Sequence, residues 1–250
     1  MYTQNELIKI TQKQLALDYN CVITDFAKKG NTITKNNLLN GRRLYSYDGC
    51  QLKIVCYRGK AIITTDEQLL PWVEENLKKE DASWLFEYPK LRFIDKKLND
   101  FGHEIADIHH YYIPDAKAQF FTPLFDIKWY EHQDIHQFKN DDRFNEALAF
   151  EENHPDMLAV AAFEGDRIMG MAGASADSKT MWQIGIDVIP GYRGKGVGAN
   201  LTALLKQEIL KRGKVPFYGT VESHDISKNI AFRAGFLPAW SEVHSQKKES

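Results

Sequence analysis

Two neighbouring segments carry the clearest apolar periodicity in the chain. From 182 to 189 every second residue is apolar, which predicts a strand that Pro190 ends, with one apolar face formed by Trp182, Ile184, Ile186 and Val188. Apolar residues then recur at helical spacing and predict a helix that ends at Gly213: Val197, Leu201, Leu204, Leu205 and Ile209. The polar positions of this helix are predicted to face solvent: Asn200, Lys206, Gln207 and Lys211.

The turn between this strand and helix contains Gly194, Gly196 and Gly198. Glycine leaves the backbone accessible, and the first N–H groups of a helix have no intrahelical partner, so several donors meet at the positive end of the helix dipole. This arrangement is typical of a phosphate or pyrophosphate site. Arg193 and Lys195 add mobile positive charge at its rim. The turn is neither a P-loop nor a Gly-x-Gly-x-x-Gly dinucleotide motif, and the alternative is a plain glycine-rich turn.

Residues 188–198, Val-Ile-Pro-Gly-Tyr-Arg-Gly-Lys-Gly-Val-Gly, resemble the acetyl-coenzyme A signature of the GCN5-related N-acetyltransferase (GNAT) superfamily. A second block of that family is a strand, a loop, a short helix and a final Gly-Phe. Residues 215–222 and then 223–236, which end in Gly235 and Phe236, are similar to it. The two blocks occur in the family's order.

The resemblance implies an α/β (α+β) GNAT fold with a mixed, mostly antiparallel central sheet that is splayed at the cofactor site. The cofactor would be acetyl-coenzyme A. Unpaired backbone of Ile186, Asp187 and Val188 would hold the pantetheine arm, with the Val188 N–H near the thioester oxygen. The resemblance assigns the pyrophosphate to the backbone of Arg193, Gly194, Lys195, Gly196, Val197, Gly198 and Ala199. Ser227 and Asn229 would touch the pantetheine or adenine side, and helix capping is the competing explanation.

Catalytic side chains are less evident, because the predicted strand directs Gln183 and Asp187 away from its apolar face. The family's loop Asn falls on His224, and the Tyr often used as a proton donor falls on Ala231. Glu222 and His224 are the candidate catalytic acid and base. The alternative is that Glu222 is a surface carboxylate, His224 lines the cofactor groove and an ordered water carries the proton.

The N-terminal part predicts a helix within residues 1–20, a hairpin at 51–57 and 61–65, a helix after Asp66, a helix at 91–101 and an extended segment at 103–114. This layout resembles a bacterial two-domain subfamily, the zwittermicin-resistance type, in which a smaller α/β domain comes first. A breaker and polar residues at 114–117 predict a boundary. Residues 1–117 would form the smaller domain, on the substrate side or in an interaction role, and residues 118–250 the acetyltransferase domain.

Within the second domain the pattern predicts a strand at 125–130, one or two helices at 134–150 and a hairpin at 157–163 and 167–174. After Phe236 there is room for one strand rather than a closing hairpin. The missing sheet edge would come from the N-terminal domain or from a second subunit in a homodimer.

Composition narrows the class of protein. The chain has 250 residues, 43% hydrophobic and 26% charged, and a formal charge of -2, which argues against nucleic acid or an anionic membrane as the main partner. No signal sequence or membrane-length apolar run is present, so a cytoplasmic protein is expected. Cys21, Cys50 and Cys56 predict free thiols rather than a zinc site, and His109 and His110 are not expected to bind metal.

The resulting functional hypothesis is direct transfer of an acetyl group from acetyl-coenzyme A to a primary amine of a small molecule. Two alternatives remain open. One is a protein or peptide N-acetyltransferase, and the other is a regulatory module that binds acyl-coenzyme A without chemistry.

Overall fold

The structure is a computed structural model that describes residues 2–43 and 50–248. Its described residues divide into two units. The N-terminal unit comprises Gln12–Tyr111 and the residues from Ala239 on, and the C-terminal unit comprises the residues up to Thr11 and Tyr112–Pro238. These units differ at both ends from a single cut after residue 117, so that boundary stays a prediction.

The N-terminal unit is built on a hairpin of β2 (Leu52–Tyr57) and β3 (Lys60–Thr65). The two-residue turn between them has positive φ at Arg58 (51°) and Gly59 (76°), as the right-handed twist of a hairpin requires. Strand β1 (Thr32–Lys35) pairs parallel with β3, and the Trp240–His244 part of β10 (Phe236–Lys247) pairs antiparallel with β2. The predicted hairpin is confirmed.

Helices cover one apolar face of this hairpin. The N-terminal unit contains the second half of α1 (Gln4–Asp18), from Gln12 on. It also contains α2 (Leu70–Asn76), α3 (Tyr88–Asn99) and most of β4 (His103–Pro114). Ile54 and Ile63 pack with Val73, Ile94 and Leu98 in a core whose side chains are fully buried. Pro71 lies in the first turn of α2, where its missing N–H breaks no helical bond. The helices and the extended segment predicted here are confirmed within a few residues.

The C-terminal unit contains an antiparallel run of β5 (Asp126–Glu131), β6 (Asp156–Glu164), β7 (Arg167–Ser175) and β8 (Met181–Val188). Strand β9 (Val215–Val221) joins β8 in parallel. The sheet is therefore mixed and mostly antiparallel, as predicted. Helix α5 (Val197–Lys211) packs on one face, where Leu201 and Leu205 meet Ile184 of β8, and α6 (Asp225–Arg233) lies beside α5.

The prediction of one or two helices at 134–150 is wrong for its second half. The structure has one helical turn, α4 (His132–Ile135), followed by two short 3-10 segments, His136–Phe138 and Asp142–Phe144. Residues 146–150, termed the strap below, run without helix across the sheet face opposite α5. Four of their N–H groups, those of Glu146, Ala147, Ala149 and Phe150, bond to the carboxylates of Asp187 and Asp156 instead of to helical carbonyls, and the Leu148 N–H donates to the Phe144 carbonyl at 2.9 Å.

Three of the four polar residues predicted on the solvent side of α5 are instead buried or half-buried. Asn200 accepts the Leu124 N–H (3.0 Å) and donates to the Thr122 carbonyl (2.9 Å), while Gln207 exchanges two hydrogen bonds with the Phe121 backbone. The Lys206 ammonium donates to the carbonyl oxygens of Ala234 (2.6 Å) and Gly235 (3.1 Å). These side chains fasten the segment before β5 and the end of α6. Only Lys211 faces solvent.

Burial lowers the pKa of Lys206 from 10.5 to about 8, and Asp115 opposes this only in part. Below pH 8 the folded protein bears the full cost of the buried charge, and above pH 10.5 both states are neutral and the cost is absent. The free energy of unfolding should therefore rise through this interval, by about 3 kcal/mol, relative to Lys206→Met. Urea unfolding of both proteins at pH 7.5 to 10.5 measures this. Lys211→Met is the exposed control, and a difference between wild type and Lys206→Met that is independent of pH would contradict the prediction.

Other sequence expectations can be compared with the described residues. No disulfide joins Cys21, Cys50 and Cys56, all of which lie in the described part of the chain. Across residues 2–43 and 50–248 no helix has the length and apolarity needed to cross a membrane, and no group of three metal-ligating side chains converges. His109 instead contacts the Asp107 carboxylate at 3.0 Å, and His110 contacts the Ser241 hydroxyl. The chain's last described strand, β10, is single, as predicted.

Candidate active site

The strands β8 and β9 separate part-way along their length. Their parallel register runs from Met181 opposite Val215 to Ile184 opposite Tyr218 and stops there. Strand β8 nevertheless continues to Val188, still paired with β7 on its other edge. One edge of residues 185–188 is therefore unpaired, and the two strands are separated by a gap beyond Tyr218. The predicted splayed sheet is confirmed.

Backbone direction along β8 identifies which groups face this gap. The Ile189 N–H donates to the Met169 carbonyl on the β7 side at 3.0 Å. Because backbone groups of successive strand residues point to opposite edges, Ile186 and Val188 direct theirs to the gap, while Asp187 is turned toward β7. The Val188 carbonyl accepts the Arg193 Nε–H at 3.1 Å, which anchors the Arg193 side chain rather than leaving it mobile at the rim.

The glycines of the turn have two different tasks. Gly194 and Gly196 have φ values of 79° and 85°, which side chains disfavour, and a Cβ added to either would meet no protein atom within 4 Å. The space next to these two residues is thus open to a ligand. Gly198 has another role, because a Cβ there would lie 3.1 Å from Ile230 Cδ1 and 3.2 Å from Val188 Cγ2. Its lack of a side chain lets α5 pack closely against β8 and α6.

The first turn of α5 supplies hydrogen-bond donors at this open space. The helix's first backbone bond runs from the Asn200 N–H to the Gly196 carbonyl, so the N–H groups of Val197, Gly198 and Ala199 precede its own bonding pattern. Gly196 is the N-cap and has no side chain to satisfy them. Lys195 is exposed beside this turn and stacks over the Tyr192 ring at 5.0 Å. An anion would find several donors and a cation here.

A family model described as the acetyltransferase (GNAT) family matches residues 119–236. The C-terminal part of the chain belongs to this family. The matched stretch contains both the open edge of β8 and the glycine turn. A GNAT domain moves an acyl group from acetyl-coenzyme A to an acceptor. The preceding unit is consistent with a two-domain arrangement, and its likeness to the zwittermicin-resistance type stays a prediction.

Solved structures similar to this chain include other GNAT proteins. A GCN5-related N-acetyltransferase-like protein from Streptococcus suis is 13% identical over 98% of this chain and 100% of its own, with a TM-score of 0.49. A GNAT-family acetyltransferase from Colwellia psychrerythraea is 10% identical over 99% and 98%, with a TM-score of 0.48. The protein yncA from Salmonella typhimurium, solved with its cofactor acetyl-CoA, is 16% identical over 50% of this chain and 94% of its own, with a TM-score of 0.36. No curated protein sequence matches the chain.

The predicted catalytic pair lies on the surface of the GNAT domain, between β9 and α6. Glu222 is exposed, with its carboxylate 3.9 Å from the Lys228 ammonium, which also donates to the Glu222 carbonyl. His224 is exposed and is the N-cap of α6 without a side-chain capping bond. Their catalytic roles stay a prediction. Ala231, at the position of the family's Tyr, is fully buried and offers no proton.

The two predicted cofactor contacts on α6 have different environments. Asn229 is exposed, whereas Ser227 is buried and its hydroxyl lies 2.7 Å from that of Tyr218. Neither side chain caps α6. Tyr218, which the sequence did not single out, stands where the β8–β9 pairing ends. Burial raises the pKa of Tyr218 to about 12, with the Glu146 and Asp187 carboxylates adding to the shift.

A second feature that the sequence analysis missed lies on the opposite sheet face. One Asp187 carboxylate oxygen accepts the N–H groups of Glu146 and Ala147 at 2.9 Å each. Burial raises the pKa of Asp187 and the Glu146 charge adds to this, while the two N–H bonds and Arg193 oppose it. Predicted as a backbone contact for the cofactor, Asp187 thus has a side chain that fastens the strap. Gly173 and Gly185 could have indicated the strap from the sequence, since a glycine inside a strand often marks a site where another backbone approaches closely.

Proposed function

We propose that this protein is an acetyl-coenzyme A-dependent N-acetyltransferase that acetylates a primary amine of a small molecule by direct transfer. The observation that carries the proposal is the open edge of β8 after Ile184, which leads to the donor-rich first turn of α5. A strand edge with unpaired backbone suits the amide-containing pantetheine arm, and the helix N-terminus suits a pyrophosphate. Coenzyme A contains these two groups in series.

The residues present fit this donor. The turn has open space beside Gly194 and Gly196, the N–H groups of Val197, Gly198 and Ala199 precede the bonding of α5, and Lys195 supplies charge. When bound, acetyl-coenzyme A would supply the activated acetyl thioester. The Val188 N–H, directed to the gap, would donate to the oxygen on which negative charge develops during attack by the amine. Ser227 and Asn229 remain proposed contacts on the α6 side.

The first test is thermal unfolding with and without acetyl-coenzyme A, with NAD and ATP as controls. Selective binding to the folded state must raise the midpoint by mass action. Thiol release is then measured with a panel of small amines and with amine-terminated peptides. Turnover of peptides alone would favour the protein N-acetyltransferase alternative. A shift without any turnover would favour the binding module, and the absence of a shift would overturn all three.

Gly196→Val is expected to abolish the thermal shift by acetyl-coenzyme A, because a branched side chain would fill the open space where the phosphates would approach the backbone. Gly213→Val is the matched control, since Gly213 has a similar φ (76°), equally open surroundings and a place at the other end of α5. It suffers the same backbone strain without touching the site. Arg193→Ala should weaken binding less than Gly196→Val. Retained binding by folded Gly196→Val would contradict the assignment.

A further inference from the structure

The strap crosses β8 at the residue where the gap to β9 begins. A Cβ added to Gly185, the first residue after the last β8–β9 pair, would overlap the Glu146 carbonyl oxygen and lie 3.2 Å from Ala147 Cα. Gly173 is the register partner of Gly185 on β7, and a Cβ there would overlap the Ala147 carbonyl oxygen. The backbone of Glu146 is therefore pressed onto Gly185 at the start of the gap, and the backbone of Ala147 onto Gly173.

Carboxylates hold the strap at both ends. Asp187, two residues beyond Gly185 and on the same face of β8, binds the N–H groups of Glu146 and Ala147. Asp156 of β6 binds the N–H groups of Ala149 (3.3 Å) and Phe150 (2.8 Å). The side chains of Ala147 and Leu148 are buried between these anchors. The position of Glu146 is thus fixed by backbone contacts, while its own carboxylate stays exposed.

The two faces of the sheet separate donor and acceptor. Ile186 and Val188 pack with Val197 and Leu201 of α5 on one face, which contains the proposed phosphate turn. Asp187 and the strap occupy the other face. If acetyl-coenzyme A binds on the α5 side and its thioester reaches the gap, the acceptor amine must approach from the face that carries the strap. Glu146 is the exposed carboxylate that the strap places there.

From this placement we propose that Glu146 binds the acceptor as a cationic primary amine and accepts its proton, and that Asp187 is the positioning residue that holds Glu146. This inference rests on the proposed function and adds the acceptor's charge and the base. The ammonium gives one proton to the Glu146 carboxylate, and the freed nitrogen pair forms the C–N bond with the acetyl carbon. The C–S bond breaks, and the sulfur leaves with its electron pair and receives the second proton from nitrogen. The Glu146 proton then passes to water.

The charged groups around Glu146 are consistent with this role. Asp187 of β8 and the Tyr218 phenol of β9 lie close enough to interact with its charge. Arg193 acts on Asp187 from the turn, and its guanidinium is directed to the Val188 carbonyl. With both Glu146 and Asp187 ionised, the local charge attracts a cation and disfavours an anionic acceptor.

The test measures kcat and KM for the best amine at pH 6 to 9.5. Glu146→Gln should lower kcat/KM about 100-fold at pH 7, as expected for a lost general base, and the deficit should shrink as pH approaches the pKa of the amine. Acetyl-coenzyme A should still raise the thermal midpoint of this variant. Glu152→Gln removes an exposed carboxylate just past the strap and should leave the rate unchanged.

Asp187→Ala tests the positioning role, because the amide oxygen of an Asn could still accept both N–H groups of the strap. It should lower kcat/KM while keeping the thermal shift, and combined with Glu146→Gln it should add little, because both changes remove the same placed carboxylate. A folded Glu146→Gln that keeps more than half of wild-type kcat/KM at pH 7 would overturn the inference and leave the proposed function standing. Wild-type protein without amine turnover would instead remove the proposed function. Equal loss in Glu146→Gln at every pH would also contradict a proton-accepting role.

Discussion

Replacing Arg43 with methionine is expected to cost the N-terminal unit about 3–5 kcal/mol of its free energy of unfolding, the range for breaking a buried ion pair on one side. Arg43 is 3% exposed. Its Nε–H donates to Asp18 at 2.6 Å, its backbone N–H donates to the same carboxylate at 2.8 Å, and its guanidinium contacts Glu242. Without Arg43, two buried carboxylates would face each other with much of their counter-charge removed.

The surroundings of Arg43 make relaxation difficult. The rings of Tyr111 and Trp240 are stacked at 4.9 Å, and the guanidinium lies 5.7 and 5.6 Å from their centroids. The Trp240 Nε1–H is already committed to Glu242 at 2.9 Å. Glu242 would keep this one neutral donor, and both buried carboxylates would keep most of their desolvation cost.

Urea unfolding followed by tryptophan fluorescence measures the loss. Arg43→Lys keeps the charge but not the planar fork, so it should fall between wild type and Arg43→Met. The triple variant with Asp18→Asn and Glu242→Gln removes the unpaired charges and should recover part of the stability. Arg92→Ala, an exposed arginine of the same unit, is the control. A folded Arg43→Met within 1 kcal/mol of wild type would contradict the expectation.

Local periodicity was enough to predict most strands and helices of both units. The hairpin of β2 and β3, the strand β8 and the helix α5 follow from apolar spacing and from glycine or proline at their ends. The separation of β8 and β9 was predicted from a sequence motif. The apolar periodicity of a strand does not indicate whether one of its edges is unpaired. Family resemblance provided this part of the site.

The errors share one physical cause, which is that polar groups bond to partners outside their own helix or segment. Asn200 and Gln207 bond to backbone groups 76 to 86 residues away, and helical periodicity contains no information about such partners. The strap lies within residues 134–150, which were predicted as one or two helices. In the structure four of its five backbone N–H groups donate to Asp156 and Asp187, residues of strands that follow later in the chain.

Gly185→Ala is expected to destabilise the C-terminal unit by about 3 kcal/mol, at the upper end of the usual cost of overpacking, and to remove most activity. The added Cβ would overlap the Glu146 carbonyl oxygen, which is backbone and cannot rotate away as a side chain could. Either the strap lifts from β8, which breaks the two bonds to Asp187, or β8 itself moves. Both outcomes displace Glu146 from the start of the gap.

The matched control is Gly191→Ala. Gly191 has no positive φ, and a Cβ there would meet no protein atom within 4 Å. The free energy of unfolding of Gly191→Ala should therefore stay within about 0.5 kcal/mol of the wild-type value. Gly173→Ala, which would overlap the next carbonyl of the strap, should behave like Gly185→Ala. Urea unfolding measures the free energy of unfolding of each variant. The thermal shift with acetyl-coenzyme A shows whether the variant still binds this cofactor. Gly185→Ala could instead have the same free energy of unfolding and the same turnover rate as Gly191→Ala. That result would show that the strap does not fix the acceptor side.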